Sequence, residues 1–189
     1  MAADKPKAIK VTTPKFRLSF PNLDQPRGFE GQEPKYSITM LFPKDQDMSW
    51  LKTKIVECLT AKFGDKIKWP KGMKNPIRDG NEQESPLKGY EGCYFVTARS
   101  KDKPGCVDSK CQDIIDVRNE VYAGCYARAT IALYTYDKAG NKGVGIALNN
   151  IQKLADGEPF SGKRDAKSDF DSVDGEPVKP GATEDDIFT

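Results

Sequence analysis

The chain has 189 residues, 37% hydrophobic and 31% charged, and contains no histidine. It therefore lacks the commonest general base and metal ligand, and it carries neither a Gly-x-x-x-x-Gly-Lys-Ser/Thr loop nor a Gly-x-Ser-x-Gly elbow, so a binding protein without cofactor or small-molecule substrate is expected rather than an enzyme. No stretch approaches the roughly 20 apolar residues of a membrane span, and the first seven residues offer no apolar signal core, so a soluble intracellular protein with no membrane contact is expected.

Residues 15–20 alternate apolar and polar side chains, the period of a half-buried strand, with Phe16, Leu18 and Phe20 on one side. Pro21 and residues 22–31 then read as loop. Residues 36–42 alternate again and stop at Pro43; the two runs are expected to pair antiparallel. Asp47 and Ser49 offer capping oxygens to a helix starting near Trp50. Leu51, Ile55, Val56, Leu59 and Phe63 fall at helical spacing, and Gly64 is placed to end the helix. Residues 65–92 read as loop. A third strand follows over residues 93–99, then a second loop over 101–111. The longest strand candidate runs from Gly124 to Tyr136, and residues 143–150 return as its hairpin partner. Five main strands, one packed helix and long loops fit a mainly β fold, a small antiparallel barrel of the OB type. A β-sandwich is the alternative that periodicity does not separate.

From residue 155 to the end there are ten acids and four bases, a net charge of −6, which leaves +8 on residues 1–154. Residues 1–160 read as one domain. Residues 161–189 read as a disordered acidic tail, because their few large apolar residues stand apart and cannot offset the entropy of ordering. A basic body suits a polyanion. The tail closes with Asp185, Asp186, Ile187 and Phe188, which suits a protein partner or competition with the polyanion.

The five cysteines are an odd number without a signal sequence, which points to reduced thiols. The Cys106–Cys111 spacing is one that zinc sites use, and Cys93 and Cys125 would complete a four-thiolate set. Small buried thiols are the plainer reading, and no metal is assigned.

In the long strand Ala127, Ala129, Ile131 and Leu133 share one face, read as core. Tyr126, Arg128, Thr130, Ala132, Tyr134 and Tyr136 share the other. Aromatics mixed with arginine suit stacking on bases and contact with phosphates; tyrosines also favour strands without any ligand. Phe95, Thr97 and Arg99 form a similar face on the third strand. Arg17, Lys68, Arg78 and Lys101 add positive charge. Trp69, set among lysines, suits either a stacking residue or a plug for the barrel end.

Several segments resemble phage-encoded single-stranded-DNA-binding proteins, those of enterobacterial phages in particular. They are Arg-Leu-Ser-Phe-Pro-Asn-Leu at 17–23, Pro-Lys-Tyr-Ser-Ile-Thr-Met-Leu at 34–41, Pro-Ile-Arg-Asp-Gly at 76–80, and Tyr-Glu-Gly at 90–92 followed by Tyr94-Phe95. Two more are Val-Tyr-Ala-Gly-Cys-Tyr-Ala-Arg-Ala at 121–129 and Gly-Val-Gly-Ile-Ala-Leu-Asn-Asn-Ile-Gln-Lys-Leu at 143–154. The likeness spans roughly residues 10–160, and the order of the segments is its most specific part. It implies an OB-fold that coats single-stranded DNA during phage replication or recombination, in the cytoplasm of a bacterial host. The tail resembles those that recruit replication or recombination proteins, though there phenylalanine is the last residue and here Thr189 follows. Two other classes compatible with such a barrel are a protein-interaction adaptor and an RNA-binding module.

Overall fold

The computed structural model describes residues 8–28, 31–66, 69, 71–83, 87–138 and 141–161. Lys68, Asp185, Asp186, Ile187 and Phe188, with the expected tail disorder, lie outside the described residues. The strands are β1 (Ile9–Thr12), β2 (Phe16–Arg27), β3 (Lys35–Pro43), β4 (Arg78–Asp79), β5 (Cys93–Ser100), β6 (Gly105–Val107), β7 (Tyr126–Lys138) and β8 (Asn141–Ala155). The helices are α1 (Ser49–Phe63) and a single turn, α2 (Val117–Glu120).

Five strands close a ring in the order β2, β3, β5, β8, β7 and back to β2. This is the expected mainly β, OB-like barrel. Its closure differs from an all-antiparallel one: β5 and β8 run parallel, meeting at Arg99 and Ala147. Three short strands add to the ring. β1 and β2 both pair antiparallel with β7, β1 at residues 130–133 and β2 at 126–127. They are one strand interrupted at 13–15, where Pro14 has no N–H for the ladder. β6 follows β5 along the same edge of β8, and β4 pairs with β5 at Tyr94 and Phe95, on the edge away from β3.

Alternation decides what fills the barrel. Phe16, Leu18, Ile38, Met40, Phe42, Val96 and Ala98 point inward, with Ala127, Ala129, Ile131 and Leu133 from β7, all buried. Helix α1 adds Leu51, Cys58 and Leu59 to this core. Its start is fixed by Asp47, whose carboxylate accepts the backbone N–H of Ser49 at 2.8 Å. Gly64 ends it, donating its N–H to Thr60 O. Val56, expected in the apolar stripe, is instead 49% exposed, one step off the buried face.

Phe20 departs most from the alternating pattern. It was expected inside with Phe16 and Leu18, and it stands outside, 54% exposed. The pairing of β2 with β3 shifts register between Ser19 and Asn22, and Phe20 takes a φ of 45°. Such a bulge re-aims one side chain, and Leu23, buried, resumes the inward row. β7 begins at Tyr126 rather than Gly124 for a related reason. Gly124 has a φ of 115°, and a Cβ there would collide with the carbonyl oxygen of Glu158, which crosses over it.

Candidate nucleic-acid interface

Directly opposed residues on neighbouring strands share a face of the sheet. On the outer face this places Tyr126, Arg17, Leu41, Phe95 and Arg78 in one row across five strands. The next row is Ser19, Thr39 and Thr97. The third holds Asn22, Ser37 and Arg99. Arg17, Phe95, Arg78, Arg99 and Tyr126, chosen from the sequence separately, thus fall on one surface.

Part of that surface is covered. Leu41, Tyr90 and Phe95 form a second, small apolar cluster outside the barrel, with Cys93 and Phe160 packed on it. Phe95 is only 3% exposed, with the Tyr90 ring 5.1 Å away edge-on. An open stacking ring at Phe95, expected from alternation, is therefore absent. Tyr90, from the turn just before β5, and Phe160, from a segment far along the chain, roof it. Arg17 is held by the turn before β7 and by the segment that follows β8. Its Nε donates to Gly124 O at 3.1 Å, one terminal nitrogen donates to Glu158 O at 2.7 Å, and its guanidinium lies 4.5 Å from the Phe160 ring centre. On its other side Tyr126 receives the cations of Lys15 and Arg17 at 5.4 and 5.9 Å from its ring centre.

Arg78 caps the row. Its guanidinium stands over Phe95, and one terminal nitrogen donates to Thr97 Oγ1 at 2.9 Å. Burial lowers its pKa, and the neighbouring positive charge of Arg99 lowers it further. Two like charges thus sit together over a polar floor of Ser37, Thr39 and Thr97. Among the described residues Arg99 has no ion pair. The turn carrying Arg78 is pinned by Asp79. Its carboxylate pairs with Lys44 Nζ at 2.7 Å and accepts the Asn81 N–H at 2.9 Å, and both contacts hold its pKa below the usual value.

The other expected residues lie elsewhere. Tyr134 and Tyr136 are on the β7–β8 hairpin, opposite Gly145 and Gly143. Each ring lies so close over its glycine that a Cβ there would clash with it, so the glycines make room for the tyrosines. Arg128 is exposed and donates from Nε to Gln152 Oε1 at 2.7 Å across the same hairpin. Lys101 pairs with Glu33 at 2.8 Å. Trp69 is half-buried against the main core, its indole N–H donating to Gly64 O at 3.0 Å.

All five cysteines are free thiols, with only Cys111 well exposed. Burial pushes the Cys106 pKa up to about 11. Among the described residues no three Cys, Asp or Glu side chains gather into a metal site, so the four thiols whose spacing suggested zinc are not assembled. No helix among the described residues is long and apolar enough to cross a membrane.

Sequence reasoning missed Phe20, Tyr90 and Phe160. Phe20 obeys the alternating pattern in sequence and breaks it in space; the Phe20-Pro21 step was the one available signal. Tyr90 and Phe160 stand in segments read as loop and tail boundary, where no period marks a face.

A family model described as "Enterobacter phage Enc34, ssDNA-binding protein" matches residues 9–184. A curated protein called "Putative protein p50", from Acyrthosiphon pisum secondary endosymbiont phage 1, is 32% identical over 164 residues, which is 82% of this chain and 88% of that protein. The single-stranded DNA-binding protein of bacteriophage Enc34, solved in complex with ssDNA, is similar with a TM-score of 0.72 and 26% identity, over 85% of this chain and 97% of that one. The gp2.5 single-stranded DNA-binding protein of bacteriophage T7 shares the fold, with a TM-score of 0.60 at 15% identity over 92% of this chain and all of that one.

Proposed function

The chain belongs to the family of the Enterobacter phage Enc34 ssDNA-binding protein, and from that premise we propose that it coats single-stranded DNA without strong sequence preference during phage replication or recombination. The observation that carries this is the clustering of Arg17, Arg78 and Arg99 with Tyr126 on one outer face formed by β2, β3, β4, β5 and β7. Arginines held on aromatic rings present fixed donors to phosphates and flat cationic surfaces to bases. Binding then combines a positive track for the backbone with stacking for the bases. Arg78 and Arg99 repel each other, and a phosphate between them relieves that repulsion. Exposed Tyr134, with Tyr136 and Arg128, extends the track along the hairpin, and Lys68 and Lys101 add positive charge to the body.

No catalysis belongs to this function; its product is protected, unpaired DNA in the cytoplasm of the bacterial host. The tail supplies two further roles. Asp185 and Asp186 with Ile187 and Phe188 recruit a replication or recombination protein, and the acids compete with DNA for the basic body.

The test is equilibrium binding to single-stranded DNA, duplex DNA and RNA of equal length at several salt concentrations. Single-stranded DNA is expected to bind best, with log affinity falling linearly against log salt. Equal or better binding to duplex would point to a generic basic surface, preference for RNA to an RNA-binding module, and no binding to a protein adaptor.

A further inference from the structure

Beside the arginine face lies a cavity of about 570 Å³, within the range of small-ligand sites. Phe20, Asn22, Arg27, Lys88, Tyr90 and Phe160 are among the residues that line it. It is continuous with the arginine face, because Ser19 and Asn22 belong to the second and third rows of that face and also line the cavity. Phe160 lies between it and Arg17.

The position of Phe20 is informative. Left to alternation, its ring would enter the core. It stands outside because a bulge places it at a φ of 45°, a conformation costly for any residue with a side chain. Exposing a large apolar ring adds to that cost. The ring gains little in return from the protein: it meets Tyr90 edge-on, with centroids 6.5 Å apart. Tyr90 itself is fixed, buried and hydrogen-bonded to Ser19 Oγ at 3.3 Å. One exposed ring therefore faces a cavity whose wall includes the buried Tyr90.

The geometry points to a subsite for one unstacked nucleobase of the bound strand, with Phe20 closing over it. The inference rests on the single-stranded-DNA reading above. The chemistry fits a base better than an aliphatic group. The walls are aromatic, Asn22 presents a side-chain amide whose Nδ2 donates to Ser37 Oγ at 3.0 Å, and two cations, Arg27 and Lys88, line the same cavity. One of them, Lys88, is held by Glu158 at 2.9 Å and also donates to Pro159 O at 3.3 Å. A base swung into this cavity would leave its phosphates on the adjoining face, near Arg99.

Replacing Phe20 with glycine separates this role from a structural one. Glycine accepts positive φ freely, so Phe20→Gly should keep or raise the melting temperature. Fluorescence anisotropy with a labelled oligo-dT should show affinity down by about tenfold, the scale of one lost base stack, with the salt slope unchanged. Phe20→Tyr should bind like the parent. If Phe20→Gly binds as well as the parent, or lowers affinity only together with the salt slope, the cavity holds no base. A parent that fails to bind the oligonucleotide overturns the functional reading itself; a parent that binds beside an unaffected Phe20→Gly overturns the subsite alone.

Discussion

The guanidinium carbon of Arg78 stands 4.3 Å above the centre of the Phe95 ring. This contact adds to the cover that Tyr90 and Phe160 give an outer-face aromatic, and it presents a cation beside Arg99. The two arginines therefore have different expected roles. Arg99→Ala removes the proposed phosphate contact and a like-charge repulsion together. It should weaken single-stranded-DNA binding, reduce the salt slope by about 1, and leave thermal stability equal or slightly higher. Arg78→Ala should weaken binding and also lower stability, because it uncovers Phe95; about 0.5–2 kcal/mol is the scale of the lost cation–π contact. Salt-dependent titrations and thermal melts of both variants check this. Equal stability losses in the two would contradict it.

Tyr134 and Gly145 should behave as a unit. Gly145→Ala places a methyl group where the Tyr134 ring lies, so the ring must swing outward. Tyr134→Ala costs the ring's packing across the strands, about 0.2–1 kcal/mol. The two changes together should cost less than their sum, since the added methyl no longer meets a ring. Melting curves of the double-mutant cycle give the coupling directly. Strict additivity would show that the ring does not rest on the glycine.

Acid should loosen the turn that carries Arg78. The Asp79 carboxyl has a folded pKa below its ordinary 3.8, first through Lys44 and then through the Asn81 N–H. A depressed folded pKa means a stabilising contribution that is fully present above the unfolded value. It is lost as pH falls below 3.8 through the folded value. Asp79→Asn lacks this carboxylate and should lose less stability than the parent over that window. Melts at stepped pH compare them; parallel losses would show that this partly exposed ion pair contributes nothing measurable.

Removing residues 169–189 takes away seven acids and one base, moving the net charge from +2 to +8. Binding of single-stranded DNA should tighten at low salt, and less so at high salt, where screening already weakens the competition. The double change Ile187→Ala and Phe188→Ala leaves the charge intact. It should lose the protein partner and keep parental DNA affinity. If the truncation binds no better at any salt, the tail does not compete.

The barrel was legible because its five main strands keep a period of two and its helix keeps a period near 3.6. Arg17 with Tyr126, and Arg99 two residues after Thr97, could be placed on an outer face by parity alone. Phe95 obeyed the same parity, yet its burial depends on Tyr90 and Phe160, which no local pattern ties to it. Phe20 failed in the opposite sense. Its parity pointed inward, and a single bulged residue reversed it. β1 and β6 were missed because a strand interrupted at a proline or a loop is too short to show a period.

The most direct measurement of where DNA lies is photocrosslinking with an oligonucleotide carrying 5-iododeoxyuridine, followed by mass spectrometry of the peptides. Helix α1 is a fair control, since it carries Lys52, Lys54 and Lys62 and would also attract a polyanion. Crosslinks are expected in β2, in β5 and around Tyr90, and not in α1. Crosslinks concentrated in α1, with none on the face shared by Arg17, Arg78 and Arg99, would contradict the proposed interface.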